Sequence, residues 1–244
     1  MESRIPVCLS IGGSDSCGGA GIQTDLRSIE ACGIRACTAI TALTAQNPAG
    51  VTRIEISPQA QVEAEIRAIF DYYDVRAVKT GMLAQANTVS LVADLMEELH
   101  PTGRLVADPV MIATSGATLL QTVAIKQLET RLFPLASLIT PNLPESRALL
   151  AEYPDDQEEA VQALYARYQR PVLLKGGHGS GDEISDLLFD GQRVTRFTHH
   201  RQAWGVEQSH GSGCRLASSI AAHLAIGYEL TEAVGHAIEH LFPD

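Results

Sequence analysis

Six short stretches of this chain hold residue types that could do chemistry, and most begin where a strand-like run gives out. The last is His210-Gly211-Ser212-Gly213-Cys214, which runs straight into Leu216, Ile220, Ala221 and Leu224 at helical spacing. A glycine turn that opens onto a helix presents unpaired N–H groups and the positive end of the helix dipole, which suits an anion. Cys214 falls in the first turn of that helix, a position that lowers a thiol pKa and favours thiolate. A thiolate there can take the proton of a substrate hydroxyl as it attacks a phosphoryl group. A buried structural cysteine would have the same spacing, and the bare sequence leaves both readings open. His210 lies four residues before Cys214, so a Cys–His hydrolase can be imagined, but no third orienting group or local signature accompanies the pair. His210 is expected to shape the turn instead.

The first stretch, Gly12-Gly13-Ser14-Asp15-Ser16-Cys17-Gly18-Gly19-Ala20-Gly21, packs five glycines into ten residues between a strand and a helix. Such a loop lets backbone approach a ligand closely. It is neither a P-loop nor a G-x-G-x-x-G turn, and a plain tight turn also favours glycine. Asp25, four residues past Gly21, would face the same side of the helix, towards the ligand. Lys79-Thr80-Gly81-Met82 puts a methionine just past a strand end, where it could line a flat apolar pocket or simply fill the core. Asp108-Pro109-Val110-Met111 offers a carboxylate at a strand end for a hard cation, though Asp-Pro also makes turns. In Thr140-Pro141-Asn142-Leu143-Pro144-Glu145 the Asn and Glu could orient cation-bound water and a phosphate, or form a capping box, or both. In Leu174-Lys175-Gly176-Gly177-His178 the lysine could reach a phosphate or lie along the surface.

The elements that must position these residues alternate. Strand patterns cover Ile5 to Ile11, Ile34 to Leu43, Val75 to Val78, Leu105 to Ala107, Leu138 to Thr140 and Val172 to Lys175. Helical spacing runs from about Gly21 to Cys32, through Val62, Ile66, Phe70 and Tyr73, through Leu91, Leu95 and Leu99, and through Val161, Leu164, Tyr165 and Tyr168. Ser57-Pro58 reads as cap and first helical residue, and Asp190-Gly191 as a hairpin turn. The alternation predicts an α/β fold with a mainly parallel central sheet and helices on both faces. Residues 1–244 read as one domain, and ligands of such sheets bind beyond the carboxyl ends of the strands.

Composition bounds the function. The formal net charge of −11 speaks against a partner held through nucleic-acid phosphates or an anionic membrane. Five cysteines, an odd number without a C-x-x-C pair, fit a reducing cytoplasm better than a disulfide framework. Cys8, Cys32 and Cys37 read as small buried apolar side chains. No signal peptide and no apolar run of membrane-helix length is visible.

Taken in this order, the six stretches resemble those of the hydroxymethylpyrimidine and phosphomethylpyrimidine kinases of thiamine biosynthesis, members of the ribokinase-like superfamily. The resemblance runs from residue 5 to about 225 and is densest at residues 18–23, 40–47, 79–83, 138–145 and 175–178. It implies a three-layer ribokinase-like fold, ATP and Mg²⁺ as cofactors, and phosphorylation of a pyrimidine hydroxymethyl group and then of its monophosphate. It implies that Gln46 hydrogen-bonds the ring, helped by Asp25 and the backbone near Thr44, with Met82 and Val110 on the ring faces. Asp108 and Glu145 would organise Mg²⁺, and Asn142 and Lys175 would meet the nucleotide phosphates. Gly211, Ser212 and Gly213 would form the anion hole, and Cys214 would stand where many relatives carry an Asp base. Relatives also suggest a homodimer. The chain departs from the family pattern at Ser212 and Arg215, where Thr is usual, in the segment His199 to Gln208 with Trp204, and in ending at Asp244, short of the family's usual last helix. Arg215 could bind a phosphate or partly block the nucleotide. The competing readings are a pyridoxine or pyridoxal kinase and a pyrimidine-binding protein with an impaired nucleotide site.

Overall fold

Strands covered on both faces carry apolar residues at successive positions, and β1 (Pro6–Asp15) is buried along nearly its whole length. The protein is seen in a computed structural model that describes residues 4–100, 103–112, 119–177, 183–202, 205 and 210–242. Eight further strands follow: β2 (Arg35–Asn47), β3 (Gly50–Ile56), β4 (Asp74–Thr80), β5 (Arg104–Ala107), β6 (Leu138–Ile139), β7 (Val172–Leu174), β8 (Glu183–Phe189) and β9 (Val194–His200). They form one sheet in the order β3-β2-β1-β4-β5-β6-β7-β8-β9. The run from β2 to β7 is parallel, while β3, β8 and β9 pair antiparallel.

The described helices are α1 (Gly21–Ala31), α2 (Gln59–Tyr72), α3 (Ala86–Leu99), α4 (Thr122–Gln127), α5 (Leu143–Leu149), α6 (Gln157–Tyr168), α7 (Ser212–Ile226) and α8 (Leu230–Leu241). Alternate strand residues feed two cores. Val7, Leu9, Ile11, Val78 and Ile139 pack with Val62 and Ile66 of α2, Val92 of α3 and Leu164 of α6. Cys8, Ala77, Val106, Leu138 and Leu173 pack with Ile29 of α1, Ile220 of α7 and Val234 of α8. That period of two produces the expected three layers, helix on sheet on helix.

Some expectations shift. Helix α2 starts at Gln59 and has no side-chain cap, because the Ser57 N–H is tied to the Thr41 carbonyl and the Pro58 carbonyl takes the first helical N–H groups. On α3 the buried residues include Val89, Val92, Leu95 and Met96, with Leu91 and Leu99 only partly covered. The Asp190-Gly191 hairpin forms as read: Asp190 accepts the N–H groups of Gln192 and Arg193, and Gly191 takes a φ of 99°. Residues 230–241, where the sequence reading marked no helix, form α8.

The sheet order creates the site. The chain leaves β1 for β2 on one side and returns to β4 on the other. Such a reversal opens a crevice beyond the carboxyl ends of the strands, where open α/β sheets bind ligands.

Candidate active site

A cavity of about 630 Å³ fills that crevice. Its apolar end is built by backbone that only glycine permits. A Cβ on Gly13 would sit 3.0 Å from Met82 Sδ, so the missing side chain lets Met82 close in. Met82 packs with Ala42 and Ala84, against Val110 and Leu119. Across from them, Thr44 Oγ1 donates to the Ser14 carbonyl at 2.9 Å. The Ser16 hydroxyl accepts from the Gln46 N–H at 2.9 Å and donates to the Gln46 carbonyl at 2.8 Å. Both backbone groups of Gln46 are therefore engaged, while the residue lines the cavity. Thr44, Gln46, Met82 and Val110 thus come together as expected.

Asp25 lines the same cavity, with its carboxylate already engaged. Its carboxylate is fully buried and accepts from Lys79 Nζ at 2.8 and 3.0 Å, from Ser10 Oγ at 2.6 Å and from Ser218 Oγ at 2.6 Å. Those four hydrogen bonds, from three donor groups, saturate it. The sequence reading missed Lys79 as its partner. Burial works against the Lys79 charge, but the negative groups around it, Asp25 first, raise its pKa above the ordinary lysine value.

The polar end of the cavity gathers Asp108, Asn142, Glu145 and Lys175. Asp108, at the end of β5, accepts from Lys175 Nζ at 2.7 Å and Thr140 Oγ1 at 3.1 Å, both on Oδ1. Burial disfavours the Lys175 charge, yet Asp108 and Glu145 outweigh it and raise the pKa. Asn142 caps α5 through a reciprocal box: its Oδ1 accepts the Glu145 N–H and its own N–H donates to Glu145 Oε2, each at 2.9 Å. Capping and lining the cavity coexist here. Burial pushes the Glu145 carboxyl up, Lys175 pulls it back and Asp108 pushes it up again. Asp108 and Glu145, two buried carboxylates lining one cavity, offer the hard oxygen donors that Mg²⁺ takes.

Gly211-Ser212-Gly213 closes the cavity between these ends. Gly211 caps α7 in the left-handed region, φ 78°, with no side-chain acceptor for the first N–H groups. A Cβ on Gly213 would come within 3.2 Å of Lys175 Nζ, so the glycine lets the ammonium reach the turn. Cys214 follows, half-buried and lining the cavity. Burial, with Lys79 opposing and Asp25 and Asp108 reinforcing, pushes the thiol up to about 11, against the thiolate that its place in the first helical turn favours. A helix dipole offers only about 0.3–1 kcal/mol, less than such burial takes.

His210 shapes this turn, as expected. Its Nε2 meets Asp15 Oδ2 at 2.9 Å, and no described hydrogen bond joins it to Cys214, which leaves the hydrolase pair without support. Asp15 also accepts the N–H groups of Cys17 at 2.9 Å and Ala20 at 2.8 Å. Burial acts to raise its pKa, but the Ala20 N–H, His210 and Cys17 together hold it below the usual carboxylate value. The two glycine loops interlock: a Cβ on Gly19 would strike the His210 ring at 2.3 Å, and one on Gly211 the Gly19 carbonyl at 2.0 Å. The sequence reading also missed Asp186, which accepts the Gly176 N–H at 2.7 Å and meets His199 Nε2 at 3.2 Å. The His199 ring stacks on Phe242 at 3.9 Å, and all three residues line the cavity. Arg215 is half-buried and is not part of the cavity wall. His178 and Trp204 lie outside the described residues.

Four similarities bear on this site. The family described as Phosphomethylpyrimidine kinase matches residues 15–242. A hydroxymethylpyrimidine/phosphomethylpyrimidine kinase of Rhizobium meliloti (strain 1021) is 43% identical over 239 residues, 96% of this chain and 88% of that protein. The crystal structure of phosphomethylpyrimidine kinase from Clostridium difficile 630 superposes with a TM-score of 0.83 at 36% identity, covering 98% of each chain. Pyridoxal kinase of Bacillus subtilis, solved as an ADP complex, superposes with a TM-score of 0.86 at 31% identity, covering 96% of this chain and 90% of that one.

Proposed function

The chain belongs to the phosphomethylpyrimidine kinase family, and from that premise we propose that it transfers the γ-phosphoryl group of ATP to the hydroxymethyl oxygen of 4-amino-5-hydroxymethyl-2-methylpyrimidine, and then to the monophosphate so formed. The observation that carries this reading is one cavity with a flat apolar end at Met82 and Val110 and an anion turn, Gly211 to Gly213, beside Lys175. Phosphoryl transfer asks a protein mainly for positioning and charge neutralisation, and this arrangement supplies both.

In this reading the Gln46 amide orients the ring, with the Thr44 backbone beside it, and Met82 and Val110 pack on its faces. Asp25 acts from beneath, holding Lys79 and through it the cavity floor. Asn142, Lys175 and Ser212 meet the nucleotide phosphates, and the N–H groups of the 211–213 turn hold the transferring group. Asp108 and Glu145 would hold Mg²⁺, which would neutralise phosphate charge there. Cys214 accepts the hydroxyl proton. Its thiolate is the acceptor: the thiol, pushed up to about 11, first gives its own proton to solvent, and the thiolate then takes the hydroxyl proton as the phosphoryl group transfers. We read residues 1–244 as one kinase domain acting as a cytoplasmic homodimer. The five free cysteines support the compartment, and no described helix is long and apolar enough to cross a membrane.

The test is ADP release with the pyrimidine alcohol, its monophosphate, pyridoxine and pyridoxal, each with Mg²⁺. Turnover led by the two pyrimidines and abolished by removal of Mg²⁺ supports the reading. Turnover led by pyridoxal moves the assignment to the pyridoxal kinases, which the likeness to the Bacillus subtilis structure favours as the second reading. Pyrimidine binding without turnover leaves a binding protein.

A further inference from the structure

One donor cluster has no task in that chemistry. Asp15, Cys17 and His210 each offer a ligand atom, and the three atoms lie within 4.8 Å of one another. We propose that these residues form a site for a thiophilic divalent cation of the Zn²⁺ type, and that filling it inhibits the kinase by moving the anion turn. The inhibitory half rests on the proposed function; the binding half does not.

The donor set is the first argument. Thiol sulfur, imidazole nitrogen and one carboxylate oxygen suit Zn²⁺ and discriminate against Mg²⁺, so the nucleotide's cation would not compete for them. Geometry is the second. Tetrahedral Zn²⁺ with usual bond lengths sets the S···O edge at about 3.6 Å and the N···O edge at about 3.4 Å. Cys17 Sγ already lies 3.5 Å from Asp15 Oδ2, and His210 Nε2 lies 2.9 Å from it. The third edge, from Cys17 Sγ to the His210 ring nitrogen, lies within 4.8 Å against about 3.6 Å in a tetrahedral site, and the second must widen by about 0.5 Å. His210 can yield that distance, because its ring is tethered at Nε2 alone and its buried Nδ1 has no hydrogen-bond partner.

Support and access complete the site. The Asp15 carboxylate is oriented by the Cys17 and Ala20 N–H groups, the outer-shell bracing that ligating carboxylates use. Asp15 and His210 are buried while Cys17 is exposed, so the cation enters from the thiol side and solvent fills the fourth position. On binding, the Cys17 S–H bond is replaced by a sulfur–metal bond and its proton goes to solvent. The His210 ring proton moves from Nε2 to Nδ1.

The inhibitory effect follows from packing. His210 precedes Gly211 directly, and the Gly19 backbone touches both the ring and the Gly211 Cα region. A ring displaced by about 0.5 Å presses on the Gly19 backbone, and through that contact it shifts the 211–213 turn.

Co²⁺ is the probe. Titrated into the purified protein, it should give a thiolate-to-metal charge-transfer band and the intense visible bands of tetrahedral Co²⁺, both bleached by Zn²⁺. Cys17→Ser should lose the charge-transfer band and keep metal-free turnover, and Cys214→Ser should keep the band. Zn²⁺ should inhibit the unaltered kinase under excess Mg²⁺–ATP, and Cys17→Ser should weaken that inhibition by about tenfold or more, since even outer-shell partners of a metal are worth that much. No band, or an equal band in Cys17→Ser, overturns the site. A Cys17-dependent band with inhibition unchanged in Cys17→Ser overturns the link to the anion turn. Should the protein turn over no substrate, the Co²⁺ spectra still decide the site by themselves.

Discussion

Lys79 Nζ lies 2.8 Å from Asp25 Oδ2, and neither side chain has any exposed surface. This pair ties α1 to the end of β4 under the cavity, with Ser10 and Ser218 completing the carboxylate's bonds. Removing one partner leaves the other buried and uncompensated. Asp25→Ala should therefore lower stability by about 3–5 kcal/mol in denaturant titration. The double variant Asp25→Leu with Lys79→Met should recover much of it. If Asp25→Ala folds as stably as the parent and only the pyrimidine KM rises, Asp25 is a ring ligand after all.

Gln46 separates ring binding from phosphoryl transfer. Its backbone is held by Ser16, so Gln46→Ala should keep the β2 geometry and remove only the side-chain amide. One neutral hydrogen bond is worth about 0.5–1.5 kcal/mol. The pyrimidine KM should rise about threefold to tenfold with the KM for ATP unchanged. Steady-state kinetics in both substrates checks this, and a fall in kcat without a change in KM would remove Gln46 from the ring site.

Cys214 should show itself in the pH profile. With its thiol pushed up to about 11, the thiolate fraction rises about tenfold per pH unit from neutrality. If the thiolate takes the hydroxyl proton, kcat climbs over pH 7–9 by about that slope, and Cys214→Ser flattens the profile as well as lowering it. The same shift bears on stability. A thiol whose folded pKa stands above its ordinary value of 9.0 stabilises the fold below that pH and loses the contribution as pH rises towards 11. A flat profile for the unaltered protein would assign the proton to another acceptor.

Which features were readable in advance follows from their range along the chain. The glycine turns, the strand runs and the Asn142–Glu145 cap are local, and periodicity or spacing exposes them. Strand β3 was not: its residues are half or fully exposed on both faces, so no alternation marks it. The Lys79–Asp25 pair spans 54 positions and the His210–Asp15 contact spans 195, distances over which spacing carries no information. Lys79 stood in a singled-out stretch, yet only the packed core tells a buried lysine from a surface one. The raised pKa of Cys214 was hidden for the same reason. Its place in the helix is local and was legible, whereas the burial that raises its pKa is assembled from α1, β4 and β5.

The interlock of the two glycine loops predicts a positioning role for Asp15. Asp15 Oδ2 holds His210, and His210 leads into the Gly211 turn. Asp15→Asn keeps the shape and exchanges the charged acceptor for a neutral one, weakening bonds worth about 1.5–3 kcal/mol to about half. The turn then samples positions away from the transferring group. A purely structural loss would lower stability and leave the kinetics of the folded fraction alone. A positioning loss lowers kcat by about tenfold with the pyrimidine KM unchanged, because no described hydrogen bond joins the Asp15 carboxylate or His210 to Gln46, Met82 or Val110. His210→Gln, which retains a donor towards Asp15, should recover more of kcat than His210→Ala. Equal losses in the two His210 variants would show that the ring's bulk against Gly19, and not its bond to Asp15, sets the turn.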